Sequence, residues 1–437
     1  MSTEQMVQVP LVRWSPQQPS DAVTHFLSRS AFVEEAEEVA AGVLADIKTR
    51  GDKAVVKYVK QYDKAALRAD QLPVTQEERV AAREGVDHEF KRAAEESYKR
   101  IVKFSEAGMR KDWTIQTPKG GVVGEQFSPL DRVGAYVPGG EAPLVSTALM
   151  TVALAKVAGV PEIVACTPAD RDGGVNPYIL YALDLAGVTE IYRIGGIQAI
   201  GAMAYGTESI RKVQKIVGPG GPYVTAAKRL VYGEVALDLV AGPSEIAILA
   251  DDSAPASYVA ADLLSQAEHG TGHEKALLVT NSQKLAEAVQ AELMLQAEQL
   301  PRRAAVTSVL NRGALLVVTD TLDAGMDLCN DFAPEHFELL VQEPRKWLRK
   351  ARRAGAVFAG PWTPECVGDF MAGPSHVLPT GGKAAMFSGL TVDDFRRRTS
   401  VVSYTRADLQ DVVGGIEAFG RVEDLEAHTR SARIRFE

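Results

Sequence analysis

The sequence predicts an α/β protein in which two parallel sheets follow one another along the chain. Short apolar runs at 162–166 and 190–194 alternate with helical stretches such as 177–186, and this alternation is typical of a parallel sheet. The alternation begins again at 245–250, which favours two units in tandem over one long sheet. The chain has 437 residues, 46% of them apolar and 24% charged, which is enough for several packed cores.

The region before the first sheet has a helical pattern. Val39, Val43 and Ile47 recur at the spacing of one helix face, within a helical pattern that runs from about 30 to 108. Residues 75–78, Thr-Gln-Glu-Glu, form a capping box that should begin a helix running to 104. We therefore expect residues 1–120 to be a helical N-terminal region.

The two parallel units are expected at 121–244 and 245–375. In the second unit the strands should lie at 245–250, 275–280, 314–319 and 338–341, with helices at 256–268 and 282–299 between them. Beyond 360 the pattern loosens into loops, followed by a helical segment at 408–428 and an alternating tail at 431–437. We expect 376–437 to be an extension that reaches a partner subunit.

Charge and composition exclude several classes of protein. The net charge of −9, with acids and bases mixed along the chain, argues against binding to nucleic acid. Residues 1–10 contain no apolar core of signal-peptide length, and charged residues and a proline interrupt the most apolar stretch, 144–165, which predicts a cytoplasmic protein without a membrane span. Three scattered cysteines are too few for a cysteine zinc site, so any metal must take nitrogen and oxygen ligands.

Histidines beside acidic residues are the most informative feature for function. Five of the seven histidines follow residue 265, and four of these stand in short acid-containing segments. Gln266 and His269 are three residues apart on a predicted helix, so they share one face and can bind one cation. A solvated polar helix end is the alternative for this pair.

Two further segments could supply metal ligands. Asp369 and His376 lie in a glycine-punctuated stretch, where a turn-forming Asp or a surface pair is the alternative. His428 would complete a set of Gln, His, Asp and His that suits zinc or another first-row divalent ion. Glu423 and His428 are five apart, a rotation of about 140° on a helix, so the helix must end or distort there if both face one site.

Glu335 and His336 are a candidate acid/base pair. They follow Pro334, which suits the first turn of a helix or a tight loop. A histidine tuned near neutrality can accept the proton of an alcohol, and a carboxylate beside it can activate water. A helix N-terminus with an incidental histidine is the alternative.

Glycine-rich turns recur in the first unit, at 136–140, 195–198 and 218–223. Each falls where a strand should end and a helix begin, the place where backbone N–H groups can meet a phosphate. None spells G-x-G-x-x-G, so ordinary strand-to-helix turns are the alternative for each. Ser244, at the junction of the two units, is either a turn residue or a substrate contact.

Together and in this order, these segments resemble the histidinol dehydrogenases, zinc- and NAD-dependent enzymes of the last steps of histidine synthesis. The resemblance runs from about 51 to 435. Its most specific motifs are Val-Pro-Gly-Gly at 137–140, Ala-Gly-Pro-Ser-Glu at 241–245, Leu-Leu-Ser-Gln-Ala-Glu-His at 263–269, Ala-Pro-Glu-His at 333–336, His-Val-Leu-Pro-Thr at 376–380 and Leu-Glu-Ala-His at 425–428. It implies a homodimer built on two incomplete Rossmann-like domains, in which the C-terminal segment of one subunit reaches the site of the other.

The resemblance also implies a role for each matching residue. One zinc ion per subunit would be held by Gln266, His269, Asp369 and His428, with His428 coming from the partner subunit. His336 would take the alcohol proton and Glu335 would activate water. The substrate would contact Ser244, Gln266, His269, His336, Asp369, Glu423 and His428, with His376 a weaker candidate, and NAD would contact Tyr136 and Gln198.

The implied reaction is the four-electron oxidation of the amino alcohol L-histidinol to L-histidine through bound L-histidinal, with two NAD used in turn. Several positions depart from the family pattern. Gly221 stands where an asparagine usually contacts NAD, Phe370 replaces a tyrosine, Ala385 replaces an arginine, and the stretch 103–108 lacks the usual Phe-His and a later Gln. The alternatives are a related enzyme for another small polar alcohol, such as a sulfonated propanediol, and a non-catalytic metal-binding protein. Cys366 also raises the alternative of a thiohemiacetal route.

Overall fold

The computed structural model describes residues 7–28, 34–139, 143–240, 242–270 and 272–437. Gly140 and Ala241, which belong to two of the motifs above, lie outside the described residues, as does most of the segment 1–10. Among the described helices, none combines the length and the apolar character that a membrane crossing requires.

The strands are short and mostly buried. In chain order they are β1 (Leu11–Arg13), β2 (Trp113–Gln116), β3 (Val122–Pro129), β4 (Arg132–Tyr136), β5 (Glu162–Thr167), β6 (Glu190–Arg193), β7 (Lys215–Val217), β8 (Ala236–Leu237), β9 (Glu245–Ala250), β10 (Lys275–Thr280), β11 (Ala314–Val318), β12 (His336–Leu340), β13 (Ala356–Ala359) and β14 (Arg396–Ser403).

The helices separate most of these strands. They are α1 (Asp21–Leu27), α2 (Glu34–Arg50), α3 (Asp52–Tyr58), α4 (Gln76–Gly85), α5 (His88–Gly108), α6 (Val145–Val157), α7 (Pro177–Ala186), α8 (Gly196–Tyr205), α9 (Pro222–Leu230), α10 (Ala256–Glu268), α11 (Gln283–Ala297), α12 (Arg303–Gly313), α13 (Leu322–Phe332), α14 (Pro344–Trp347), α15 (Glu365–Phe370), α16 (Arg406–Val422) and α17 (Glu426–Arg433). A π-helical segment at Val59–Asp63 extends α3.

Two parallel sheets organise the molecule, which confirms the predicted α/β class. The first has the strand order β6-β5-β4-β7-β8 and the second β1-β11-β10-β9-β12-β13. Apolar side chains pack on both faces of each sheet, in four separate clusters. Both sheets therefore resemble Rossmann folds, in which buried parallel strands are covered on both sides by helices.

The glycine-rich turns lie where the sequence predicts them. They follow β4, β6 and β7 and lead toward α6, α8 and α9. Gly218 needs its glycine, because its φ is +114° and a Cβ would lie 2.1 Å from the carbonyl oxygen of Tyr136. The turn after β7 is thus closed tightly against the end of β4.

The N-terminal region departs from the prediction in two ways. It contains β1, which pairs with β11 at the edge of the second sheet, so the region is not purely helical. The helix predicted to run from the capping box to 104 is divided into α4 and α5, because Asp87 accepts a hydrogen bond from the N–H of Phe90 at 2.8 Å and begins a new helix. The capping box of Thr75 and Glu78 is confirmed.

The C-terminal segment adds a small antiparallel sheet and a helical pair. β14 pairs along its length with β3, which pairs with β2. The predicted alternating tail at 431–437 is wrong, because α17 continues to Arg433. Its buried Thr429 and Ala432 are three residues apart, a spacing that suits one helix face. The boundaries of the four predicted segments stay predictions.

Candidate active site

The candidate site lies at the amino ends of the strands of the second sheet. β9 begins at Glu245 and β12 begins at His336, and His336 pairs with Ile246, so these parallel strands start at the same edge. The helix after β9, α10, runs back to this edge and ends beside Gln266 and His269. Sequence periodicity did not predict a site at this edge. Open α/β sheets usually bind ligands at the opposite edge, at the carboxyl ends of their strands.

Glu335 lies in the tight turn before β12, and His336 is the first residue of that strand. Of the two expectations for this segment, the tight loop is therefore confirmed and the first turn of a helix is wrong. α13 ends at Phe332, Ala333 takes a left-handed φ of +46°, and Pro334 has no N–H with which to continue a helix. Both site residues are buried, with 5% and 3% of their surface exposed. Their side chains meet, since Nδ1 of His336 is 3.9 Å from Oε2 of Glu335.

The Glu335 carboxyl is held by the start of β9. Its Oε2 accepts a hydrogen bond from the N–H of Glu245 at 3.1 Å, and the side chain also bonds to Ser244. Burial raises the pKa of Glu335 well above its usual value despite these hydrogen bonds. Ser244 is therefore a partner of Glu335, which sequence spacing could not show.

The imidazole of His336 lies close to Glu335 and to two further side chains, those of Gln266 and Glu365. Its Nδ1 is 3.2 Å from Oε1 of Gln266 and 3.7 Å from Oε1 of Glu365. Burial lowers the pKa of His336 to about 4, while the negative charge of Glu365 acts in the opposite direction. The lowered pKa favours the neutral ring, the form in which a base can accept a proton.

Gln266 and His269 are adjacent, as their spacing predicts. Nε2 of Gln266 lies 3.4 Å from Nδ1 of His269, which is also 3.3 Å from the carbonyl oxygen of Gln266. Gln266 is fully buried, whereas His269 is exposed at the C-cap of α10. The site therefore extends from the buried side chain of Gln266 to the protein surface at His269.

Asp369 and His376 also reach the site. Oδ1 of Asp369 is 3.7 Å from Nδ1 of His376, whose Nε2 lies 3.1 Å from the hydroxyl of Thr147 on α6. Burial raises the pKa of Asp369 and lowers the pKa of His376 to about 4. Through His376 the site therefore touches the first unit.

Glu365 is a site residue that sequence reasoning missed. It begins α15, four residues before Asp369, so the short helix presents both carboxyls on one face. Possible ligand atoms of His336, Glu365 and Asp369 all lie within 4.8 Å of one another. The spacing Glu365-x-x-x-Asp369 could have indicated this had the segment been taken as helical rather than as a loop.

Two more carboxyls lie close to Glu365, those of the buried Glu338 and the half-buried Asp262. The N–H of Glu365 donates to Oε1 of Glu338 at 2.8 Å, and Glu338 shares a side-chain hydrogen bond with Asp262. Burial raises the pKa of Asp262 to about 6 and that of Glu338 well above its usual value. Within the described residues, no lysine or arginine forms an ion pair with either carboxyl or with those of Glu335, Glu365 and Asp369.

Glu423 and His428 lie apart from this cluster. The helix ends at Val422 and Asp424 takes a φ of +57°, so the chain turns before α17, as the five-residue spacing requires. Glu423 and His428 are both exposed and line one groove between α16 and α17. The two helices pack on each other and make no comparably extensive contact with another described helix or strand.

The predicted NAD contacts lie at the end of the first sheet. The hydroxyl of Tyr136 accepts a hydrogen bond from the N–H of Gly196 at 3.2 Å. Gln198 is fully buried, and its Oε1 has no hydrogen-bond partner in the described part of the chain. Asp63 accepts from Nε2 of Gln198 at 3.1 Å and from the N–H of Gly195 at 2.9 Å. Gly221 is exposed at the N-cap of α9, where a Cβ would meet nothing within 4 Å.

Cys366 does not have the surroundings of an activated nucleophile. It is exposed on α15, and burial together with neighbouring carboxylates raises the pKa of its thiol. A catalytic thiol needs a lowered pKa, so the surroundings disfavour the thiohemiacetal route.

Known proteins resemble this chain over nearly its full length. The family model described as Histidinol dehydrogenase matches residues 27–436. The histidinol dehydrogenase of Heliobacterium mobile is 45% identical over 397 residues, 91% of this chain and 93% of its own length, and that of Geobacillus kaustophilus is 44% identical over 404 residues, 92% and 95%. The crystal structure of histidinol dehydrogenase from Elizabethkingia anophelis superimposes with a TM-score of 0.93 at 36% identity and covers 98% of both chains. The chain therefore belongs to the histidinol dehydrogenase family.

Proposed function

We propose that this protein oxidises L-histidinol to L-histidine, with Zn2+ and NAD as cofactors, in histidine biosynthesis in the cytoplasm. The observation that carries the proposal is the convergence of Glu335, His336 and three candidate metal ligands at one buried sheet edge, in a chain of this family. The two relatives described above are both named histidinol dehydrogenases, which supports this substrate over a sulfonated alcohol.

The chemistry of the site fits a divalent cation. Gln266, His269 and Asp369 offer oxygen and nitrogen donors close together, the types that zinc accepts when cysteine is lacking. Burial raises the pKa of several carboxyls around them, and no described lysine or arginine compensates them. A bound zinc ion would supply this positive charge and would orient the amine and hydroxyl of the substrate.

A partner subunit would complete the ligand set. His428 and Glu423 line a groove on a helical pair that projects from the rest of the chain. The pair exposes large apolar side chains, including Phe419 at 70% and Val422 at 80%, and such a surface favours contact with another subunit. We therefore propose a homodimer in which His428 and Glu423 of each chain enter the site of the partner.

The chain's own groups would then divide the proton chemistry. His336, neutral and buried, would accept the proton of the substrate hydroxyl, while Nδ1 of its ring faces Gln266 and Glu365. Glu335, held by the N–H of Glu245, would remove a proton from the water that attacks the aldehyde. The two groups lie side by side, so one bound substrate can meet each in turn.

The dinucleotide would bind at the carboxyl ends of the first sheet. Tyr136 and Gln198 lie in or beside the glycine-rich turns there, and the unpartnered Oε1 of Gln198 can accept a hydrogen bond from the amide or a hydroxyl of NAD. Two NAD molecules, bound in turn, would each accept one of the two hydrides that leave the substrate carbon. His376, bonded to Thr147 of α6, ties this half of the molecule to the other.

The two half-reactions test this division of labour. His336→Asn should slow oxidation of histidinol about 10²- to 10⁴-fold, because it removes the base, whereas Glu335→Gln should slow oxidation of histidinal by such a factor and histidinol oxidation by less than about tenfold. Glu343→Gln, an exposed change, is the control. Equal losses in both half-reactions for both variants would refute the assignment.

A further inference from the structure

We infer that Glu365 is a positioning residue for His336: its carboxylate accepts the Nδ1–H of the imidazole and so leaves Nε2 free to take the proton of the substrate hydroxyl. The inference rests on the proposed function, because His336 is the base of that reaction. Three features of the structure support it.

The first feature is an unsatisfied oxygen. Glu365 has only 2% of its surface exposed, and its Oε2 accepts the hydroxyl of Ser265 at 2.9 Å. Its Oε1 is buried, receives no hydrogen bond from an N–H or hydroxyl group of the described residues, and lies 3.7 Å from Nδ1 of His336. A buried acceptor without a donor is costly, and closing this gap by roughly 1 Å would make a hydrogen bond.

The second feature is that Oε1 of Gln266 competes with Glu365 as the acceptor for the Nδ1–H of His336. Nδ1 of His336 now lies 3.2 Å from Oε1 of Gln266. A glutamine can bind a cation only through this oxygen, since its NH2 group offers no acceptor. With the oxygen engaged by a cation, Nδ1–H needs another acceptor, and Oε1 of Glu365 is within reach.

The third feature is the rigid support of the carboxyl. The N–H of Glu365 donates to Glu338, which lies two residues after His336 on β12 and therefore on the same face of the strand. Ser265, which binds the other oxygen, directly precedes Gln266 on α10. The carboxyl is thus fixed by the same strand and helix that carry the base and a candidate metal ligand.

Glu365→Gln tests the inference, because it keeps the size of the side chain and removes its charge. Zinc-loaded wild type and variant, labelled with 15N-histidine, are compared by NMR, with the His336 signal assigned from His336→Asn. Wild type should show the Nδ1–H tautomer, and the variant should lose it, because the glutamine NH2 can donate to Nδ1. Oxidation of histidinol should slow about 10- to 100-fold, with KM for histidinol and zinc content unchanged within about twofold.

Two further variants sharpen the test. Ser265→Ala, which releases Oε2, should slow the same step by roughly threefold to tenfold, while Glu343→Gln on the surface should leave it unchanged. Wild-type rate together with an unchanged tautomer in Glu365→Gln would overturn the inference. Zinc loss with a rate restored by excess zinc would also overturn it, because Glu365 would then be a metal ligand. If wild type fails to oxidise histidinol, the proposed function falls, and the NMR result alone decides the Glu365 hydrogen bond.

Discussion

Gly221 offers a sharp test of where the dinucleotide binds. The NAD site that we propose includes the turn that ends at Gly221, the N-cap residue of α9. The backbone there is ordinary, with φ −66° and ψ 179°, and a Cβ would meet nothing within 4 Å. Gly221→Asn should therefore fit without strain.

The size of the effect follows from two contributions. One added hydrogen bond to NAD is worth about 0.5–1.5 kcal/mol, which lowers Kd about two- to twelvefold. A better N-cap and a less flexible unfolded chain together raise the free energy of unfolding by about 0.5–1.5 kcal/mol.

Calorimetric titration with NAD measures the first effect, and thermal unfolding without NAD measures the second. Gly85→Asn, at the exposed end of α4 where a Cβ also meets nothing, is the control and should leave Kd unchanged. If Gly221→Asn raises Tm but leaves the Kd for NAD unchanged, the cofactor does not bind at the start of α9 and the assignment fails.

Three other predictions concern stability, the thiol and the shared site. Burial raises the pKa of Asp63 to about 6, so the folded protein keeps a proton on this carboxyl at pH values where the unfolded chain has lost it, and the protein loses stability as pH rises from about 4 to about 6. Asp63→Asn should therefore raise the free energy of unfolding, measured in urea, by about 1–3 kcal/mol at pH 7 and by little near pH 4. An equal change at both pH values would contradict this. Cys366→Ser should retain kcat for histidinol within about twofold, because the thiol is exposed and its pKa is raised, whereas loss of turnover would revive a thiohemiacetal. The variants His428→Ala and Asp369→Asn should each be inactive. If the site is shared between subunits, refolding the two variants together in equal amounts should restore about a quarter of wild-type activity, because half of the dimers are mixed and each mixed dimer has one intact site. No recovery of activity would place both residues in the site of one chain.

Much of the fold could be predicted from the sequence, since strand and helix periods differ clearly. The strands 245–250 and 275–280 and the glycine-rich turns are where the pattern indicates. Pairing with distant residues was not predictable: the short segment Leu11–Arg13 becomes a strand only because β11 offers it an edge, and Arg396–Ser403 does so against β3. The local sequence pattern of neither segment indicates the strand with which it pairs.

The site residues that lie close together in the sequence could be predicted, whereas those that only the fold brings together could not. Gln266 with His269, and Glu335 with His336, are close in sequence and in space. Glu365 was missed because α15 has only six residues among prolines and glycines, so its helical face is not visible in the sequence. The burial of the carboxyls, which sets the direction of their pKa values, likewise depends on strands that meet only in the folded chain.

The central claim is that this site carries out a four-electron oxidation. The most direct measurement is the stoichiometry of the zinc-loaded protein with limiting L-histidinol and excess NAD, followed by NADH absorbance and by analysis of the products. The account predicts two NADH and one L-histidine for each L-histidinol consumed, with no free aldehyde. One NADH with release of histidinal, or turnover of a sulfonated propanediol with none of histidinol, would contradict it.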